Sequence, residues 1–208
     1  MEYEVVMGLE VHVELGTNTK LFCSCPNQFT TEPNMYCCPK CAGLPGAVAT
    51  LNKHAIELAS KAGLSLNCEI QNNSTFDRKH YFYPDLAGAY QTTQFNRPIC
   101  VNGTVELFDG AKIGIKQIHI EEDAGKLVHD PYIDASYVDY NRSSRCLIEI
   151  VSNPDFRTKE QVIDYLDILK SRLIYAGVSS CKMEEGIMRC DINLSVREKG
   201  SDKLGVRT

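Results

Sequence analysis

Residues 8–15 read GLEVHVEL and alternate strictly between apolar and polar side chains. Side chains in a β-strand alternate with a period of two, so the apolar residues that begin at Leu9 share one face. The opposite face carries Glu10, His12 and Glu14. The pattern predicts a half-buried strand whose polar face is either a solvated surface or the floor of a metal or phosphate site.

The composition is typical of a folded protein. The chain has 208 residues, 43% hydrophobic and 24% charged, which allows one large domain or two small ones. Its net charge of -5 argues against non-specific coating of nucleic acid and is compatible with a local basic groove. We find neither a signal peptide nor an apolar run long enough to span a membrane. Ten cysteines without a secretory signal indicate a reducing compartment. We therefore expect a cytoplasmic protein with no membrane partner.

Two helices are predicted from their end signals. The first begins after Asn52, a favourable N-cap, and ends at Gly63. The second begins at Thr158, which has capping-box spacing to Gln161, and ends at Gly177. Their apolar stripes are Ile56, Leu58, Ala59 and Ala62 in the first helix, and Val162, Leu166, Leu169 and Leu173 in the second.

The rest of the chain is read as loops and short strands. Residues 16–50 are rich in Cys, Pro, Asn and Gly and predict a loop region, whereas residues 68–156 predict short strands. Turn signals stand at 102–103 (Asn-Gly) and 109–110 (Asp-Gly), and a last strand begins near residue 186. Strands of mixed length with helices at both ends predict an α+β domain.

Two cysteine-rich segments, FCSCPN and YCCPKC, predict a metal site. Cys23 and Cys25 with Cys38 and Cys41 could close a tetrahedral zinc site with no open position, and Cys37 would be spare. We favour structural zinc over unligated thiols or a redox pair. The other cysteines are interpreted as small core residues, namely Cys68, Cys100, Cys146, Cys181 and Cys190.

Acidic residues recur on predicted strands. In IKQIHIEEDAGK, His119 and Glu121 lie opposite the isoleucines, and Glu122 follows. Glu149 stands alone inside the apolar segment CLIEIVSNPD, where a carboxylate is costly unless it is paired or binds a cation. Asp191 adds an acid on the last strand. Carboxylates on rigid strands are typical of magnesium sites for phosphoryl transfer. The alternative is that these acids are solvated surface residues, and it is weakest for Glu149.

Basic and aromatic residues are interleaved in FDRKHYFYPDL. Arg78 and Lys79 precede Tyr81, Phe82 and Tyr83. Such a loop can bind a phosphate while stacking a base or sugar. A core-anchoring aromatic cluster with a surface ion pair explains the pattern equally well.

Seven segments in order along the chain resemble the GatB family, the B subunits of aspartyl/glutamyl-tRNA amidotransferases. They are GLEVHVEL, KLFCSCPN, CPKCAGLPGA, FDRKHYFYPDL, IHIEEDAGK, LIEIVSNPD and MEEGIMRCDINLSVR. The likeness covers nearly the whole chain. It implies that the polar face of the first strand is part of a catalytic floor.

The resemblance implies a largely antiparallel sheet with flanking helices, similar to the cradle of glutamine synthetase. Residues 1–208 are expected to form a single catalytic domain with an inserted zinc knuckle at about 22–42. Because the family continues beyond the position of Thr208, we expect the domain to be incomplete at its C-terminus and the chain alone to be inactive or weakly active.

The activity that the resemblance implies is ATP- and Mg²⁺-dependent. The family phosphorylates the side-chain carboxylate of Glu-tRNA(Gln) or Asp-tRNA(Asn), and ammonia then displaces the phosphate. An amidase, the A subunit, releases that ammonia from glutamine, and the small C subunit is the third member of the heterotrimer. The sequence does not decide between the two tRNA substrates.

Site residues are carried over by position in the motifs. His12, Glu122 and Glu149 match the magnesium-site residues of the family, with Glu10, Glu121 and Asp191 as neighbours. Of these, the expected catalytic residues are Glu10, His12, Glu122 and Glu149. The expected substrate-binding residues are Arg78, Lys79, Tyr81 and Tyr83, and the zinc positions are Cys23, Cys25, Cys38 and Cys41.

One segment departs from the family pattern. The family usually has a small-residue turn and a proline before LIEIV, whereas this chain has Ser143-Ser144-Arg145-Cys146. Two other classes of function stay open. The chain could be a non-catalytic zinc-knuckle scaffold that docks partner proteins and tRNA, or it could be a metal-dependent hydrolase.

Overall fold

The structure is a computed structural model that describes residues 2–208. Two helices, α1 and α2, and ten strands, β1 to β10, occur within that range. Their bounds are β1 Tyr3–Glu14, α1 Lys53–Ser65, β2 Glu69–Ile70, β3 Asp77–His80, β4 Tyr90–Thr93, β5 Cys100–Glu106, β6 Lys112–Glu122, β7 Lys126–His129, β8 Ser136–Asp139, β9 Cys146–Ser152, α2 Lys159–Tyr175 and β10 Met188–Glu198.

Six of the strands form one antiparallel sheet in the order β10-β1-β9-β6-β5-β2. Two separate hairpins, β3–β4 and β7–β8, stand beside it. The α+β class and the largely antiparallel sheet with two helices are therefore confirmed. The likeness to the glutamine synthetase cradle stays a prediction.

The apolar face of the sheet is covered by both helices. Val11 of β1 lies opposite Ile150 of β9, which in turn lies opposite Ile118 of β6. All three side chains are fully buried and belong to one core with Leu58 of α1 and Leu169 of α2. Burying a side chain of this size stabilises the fold by about 1.5–3 kcal/mol. The apolar half of GLEVHVEL is a core-facing strand face, as predicted.

The first helix begins as predicted and ends later. The Asn52 side chain accepts a hydrogen bond from His54 N at 3.0 Å, which confirms the N-cap. The predicted end at Gly63 is wrong, because α1 continues to Ser65. Gly63 is buried in the helix, and a Cβ there would collide with the Cys100 sulfur. Close packing, and not helix termination, explains this glycine.

The second helix has both predicted ends. Thr158 Oγ1 accepts from Gln161 N at 3.3 Å, and Gly177, at φ +66°, follows the last turn. In a standard capping box the Gln161 side chain would accept from the N–H of the N-cap residue, Thr158. Here it accepts from Arg157 N, one residue earlier in the chain.

One predicted turn is right and the other is wrong. Gly110, at φ +83°, turns the chain between β5 and β6. Asn102 and Gly103 lie inside β5, where Asn102 has φ +56°. A Cβ on Gly103 would lie 2.9 Å from Leu66 O, so the pair serves close packing within a strand.

The remaining expectations on the core largely hold. The single cysteines Cys68, Cys100, Cys146 and Cys181 are buried, whereas Cys190 is half-buried. Residues 16–50 contain no helix and no strand beyond an isolated bridge. Within residues 2–208, no helix combines the length and the apolar character needed to cross a membrane.

Candidate functional site

The polar face of the sheet brings together acids and imidazoles from three neighbouring strands. His12 of β1 lies opposite Glu149 of β9, and Glu149 lies opposite His119 of β6. Glu121 follows His119 by two residues and therefore faces the same side. The acid–imidazole–acid pattern of the first strand is thus part of a cluster that the antiparallel register assembles.

The four side chains of this cluster are in contact. His12 Nε2 lies 3.3 Å from Glu121 Oε1 and 3.7 Å from Glu149 Oε2. His119 Nε2 lies 2.8 Å from Glu149 Oε2 and 3.5 Å from Glu121 Oε2. The Glu121 side chain is only 6% exposed, whereas His12 is 21% exposed. A solvated surface does not describe the cluster, because its floor is buried and only its rim is open.

The electrostatics of the cluster keep Glu121 ionised. Burial raises the pKa of Glu121, but hydrogen bonds from His119 and His12 outweigh it and lower the pKa to about 2. Burial opposes protonation of His119, yet hydrogen bonds to Glu121 and Glu149 raise its pKa to about 9. The same carboxylates raise the pKa of His12 against burial. Without a metal, the protonated imidazoles therefore balance the charge of the carboxylates, and a cation that binds here would take the place of a proton on His12.

The geometry suits a divalent cation. One ligand atom each from His12, Glu121 and Glu149 falls within 4.8 Å of the others. Mg²⁺ in phosphoryl-transfer sites uses one or two carboxylates and keeps positions for water and phosphate oxygens, as a half-open rim allows. The imidazole nitrogen is a softer ligand than Mg²⁺ prefers, and it makes Mn²⁺ a second suitable ion.

A cavity of about 500 Å³ opens above the cluster. Its lining includes His12, Lys79, Tyr81, Arg189 and Asp191. Such a mixture of cations, acids and an aromatic ring can accept a phosphorylated substrate.

The basic–aromatic segment is exposed and reaches this cavity in part, because Arg78 and Tyr83 are not among its lining residues. Lys79 and Tyr81 line the cavity, and the Tyr83 ring lies 5.8 Å from the Tyr81 ring. The Arg78 guanidinium lies 4.8 Å from the centre of the Tyr90 ring. Phe82 is 84% exposed, so the core-anchoring alternative is wrong.

Three predicted site residues lie outside the close cluster. Glu122 faces the side opposite Glu121, where it contacts Ser144 Oγ at 2.6 Å and Lys40 Nζ at 3.3 Å. Glu10 accepts from the Asn193 side chain at 2.9 Å. Asp191 is 3.9 Å from His12 Nδ1 and largely exposed. The roles given to these three acids stay predictions.

The four predicted zinc ligands converge. The Cys41 sulfur lies 3.7 Å from that of Cys23, 3.8 Å from Cys38 and 4.0 Å from Cys25. Zinc bound to four thiolates at about 2.3 Å requires sulfurs about 3.8 Å apart. Cys37 lies outside the set of four, as predicted. A hydrogen bond from Cys23 and the nearby Lys20 ammonium lower the pKa of Cys41 to about 4 despite burial.

Sequence reasoning left four residues of these sites unassigned. The alternation had placed His119 on the polar face with Glu121, but His119 was given no role. Arg189 lies opposite His12 and pairs with Asp123 at 2.9 Å. Lys20 and Lys40 contact Cys41 and Glu122 respectively, and only tertiary structure reveals them.

Comparisons with known proteins identify the family of the chain. Residues 5–208 match the family model of the GatB/GatE catalytic domain. Three relatives are named as the B subunits of aspartyl/glutamyl-tRNA(Asn/Gln) amidotransferases. The chain is 58% identical over 209 residues to the one from Lachnoclostridium phytofermentans, 56% over 211 to that from Caldicellulosiruptor saccharolyticus, and 57% over 210 to that from Thermoanaerobacter pseudethanolicus. The alignments include 99% or 100% of this chain and 44% of each relative, so the chain spans less than half of their length.

Proposed function

The chain belongs to the GatB/GatE catalytic-domain family, and on that premise we propose that it is the phosphoryl-transfer part of a tRNA-dependent amidotransferase. Its substrates would be ATP and Glu-tRNA(Gln) or Asp-tRNA(Asn). An amidase, the A subunit, would supply ammonia, and the small C subunit would complete the cytoplasmic complex. Residues 1–208 would be a single cradle-like domain with an inserted zinc knuckle.

One observation carries the proposal. His12 and Glu121 converge with Glu149 and line the floor of a cavity. Its wall includes Lys79, Tyr81 and Arg189. A metal-binding floor under a basic and aromatic wall is what transfer between a nucleotide and an aminoacyl-tRNA end requires.

The chemistry assigns a role to each group. The side-chain carboxylate of the aminoacyl group attacks the γ-phosphorus of ATP, and the bond to ADP breaks. Ammonia then attacks the acyl phosphate, phosphate leaves, and the amide loses a proton. His12, Glu121 and Glu149 would hold Mg²⁺, which when bound would supply neutralisation of charge on the phosphate oxygens. Lys79 and Arg189 are the cations that can orient the two anionic substrates. Tyr81 offers its exposed ring for stacking.

The zinc knuckle is proposed as a structural element. The four sulfurs are spaced for a closed tetrahedral site, which leaves no position for a substrate. The metal would fix residues 22–42, which contain no helix and little other regular structure.

The test follows labelled phosphate from ATP onto Glu-tRNA(Gln). The chain is extended to the length of its relatives and assembled with the amidase and the small protein of the heterotrimer, and glutamine is omitted so that the acyl phosphate accumulates. Glu149→Gln keeps the shape of the side chain and removes its charge. Glu160→Gln is the matched control, because the Glu160 side chain is 67% exposed on α2.

We expect transfer to fall at least ~100-fold in Glu149→Gln and to stay unchanged in Glu160→Gln. Full transfer by a folded, assembled Glu149→Gln complex would refute the role of the cluster and favour the scaffold alternative. Phosphate release that does not need the tRNA would favour the hydrolase.

A further inference from the structure

A lysine side chain is completely buried beside the cysteine cluster. Lys20 has no exposed surface, although lysine is among the residues least often buried. It follows β1 in the chain, and its backbone N–H donates to Cys25 O at 3.0 Å. Lys20 is therefore part of the knuckle through its backbone as well as its side chain.

The ammonium group has three acceptors for its three protons. Lys20 Nζ donates to Tyr36 O at 2.7 Å, to Tyr140 O at 3.1 Å and to Cys41 Sγ at 3.3 Å. Its hydrogen bonds are therefore complete. None of these three acceptors is a carboxylate. The only partner that can carry a full negative charge is Cys41.

A buried cation of this kind needs an anion. Burying an unpaired ammonium is strongly unfavourable, and two carbonyl groups do not supply a counter-charge. Four thiolates around one Zn²⁺ carry a surplus of about two negative charges. The buried ammonium and the surplus charge of the centre therefore compensate each other at Cys41, the one fully buried cysteine of the four.

We propose that Lys20 is a positioning residue whose ammonium is the built-in counter-cation of the zinc–thiolate centre. This inference rests on the zinc site of the proposed function and adds a residue to it. The hydrogen bond holds the Cys41 thiolate in place. The carbonyl of Tyr36 belongs to the knuckle and that of Tyr140 to the connection between β8 and β9, so the same ammonium fastens the metal centre to the body of the domain.

A neighbouring lysine provides the matched control. Lys40 directly precedes Cys41, but its ammonium contacts Glu122 and Ser144 at 3.3 Å and no sulfur of the cluster. Lys20→Met and Lys40→Met each remove one positive charge near the knuckle. Only the first removes a bond to a zinc ligand.

The experiment measures the zinc affinity of this chain by competition with a chromophoric chelator. We expect Lys20→Met to bind zinc ~10–100-fold more weakly than the unmodified chain, as is usual when an outer hydrogen bond to a metal ligand is lost. Lys40→Met should keep the original affinity. In the Co²⁺-loaded proteins, Lys20→Met should also shift the sulfur-to-metal charge-transfer band, because one thiolate loses its hydrogen bond.

A second measurement covers the case in which Lys20→Met does not fold. In the ¹¹³Cd-loaded, unmodified chain, nuclear magnetic resonance should detect an ammonium group protected from exchange and correlated with the metal across the N–H···S bond. A folded Lys20→Met with unchanged zinc affinity, or the absence of that protected ammonium, would overturn the role of Lys20 alone. An unmodified chain that binds no zinc would overturn the zinc assignment itself and, with it, the counter-cation.

Discussion

Replacing Gly63 by alanine tests whether tertiary packing or helix propensity governs α1. Helix propensity alone predicts that the free energy of unfolding rises, because alanine is about 1 kcal/mol more favourable than glycine inside a helix. The structure predicts that the free energy of unfolding falls. A Cβ on Gly63 would collide with the Cys100 sulfur and would lie 2.8 Å from Ile70 Cδ1 and 3.2 Å from Cys100 Cβ.

The magnitude follows from these opposing contributions. Overpacking a core costs typically 1–3 kcal/mol, and three close atoms place Gly63→Ala near the upper value. After subtracting the propensity gain, we expect the free energy of unfolding to fall by about 2 kcal/mol. For a chain of this size, that corresponds to a fall in Tm of roughly 4–8 °C.

A double-mutant cycle isolates the cause. Cys100→Ala removes the sulfur that the new Cβ meets and alone should cost about 1 kcal/mol, because it leaves a small cavity. In the Cys100→Ala background, the same Gly63→Ala change should cost at least ~1 kcal/mol less than in the unmodified chain. Urea denaturation followed by circular dichroism measures all four proteins. If Gly63→Ala alone raised the free energy of unfolding, the packing argument would be wrong.

Three further perturbations have defined outcomes. Cys41→Ser should abolish the binding of one zinc per chain, whereas Cys37→Ser should retain that zinc. Metal analysis after dialysis measures the zinc content of both variants, and loss of zinc in both would contradict the four-cysteine assignment. Asn52→Ala should lower the free energy of unfolding by about 1–2 kcal/mol, because it removes the helix cap and a bond to Thr19 O, whereas Asn52→Asp should keep the cap. Backbone N–H and side-chain hydrogen bonds from Asn96, and a bond from Phe95 N–H, hold the pKa of Asp77 below its usual value. The stabilisation from Asp77 is therefore present above about pH 4 and is lost as pH falls. The Tm of Asp77→Asn should therefore fall less between pH 5 and pH 3 than the Tm of the unmodified chain. An equal fall in Tm for both proteins would show that these bonds do not favour the ionised form.

Local patterns in four segments were sufficient to predict β1, β6, β9 and β10, but not the order of the strands in the sheet. In GLEVHVEL, the period of two separates a core face from a polar face without any tertiary information. Helix caps were equally local: Asn52, Thr158 and Gly177 act through atoms within a few residues. Gly63 and the Asn-Gly pair at 102–103 were misread for the same reason. Both glycines make close contacts with residues that are distant in sequence, Gly63 with Cys100 and Gly103 with Cys68.

Several residues of the candidate site were identified from the sequence, but their grouping was not. His12 and Glu149 were identified from their strands, whereas their contact depends on the register of β1 with β9. Periodicity placed Glu121 on the same side as His119. Position in the family motif had instead favoured Glu122. No local pattern indicates Lys20, because its partners lie 16, 21 and 120 residues away.

The end of β6 joins the two candidate sites. Consecutive residues in a strand point to opposite faces, so Glu121 contacts His12 and His119 while Glu122 contacts Lys40 and Ser144. Lys40 is adjacent to Cys41, and Ser143 Oγ donates to Cys41 O at 3.4 Å. The knuckle is therefore fastened to the same strand end that supplies the buried acid of the metal cluster.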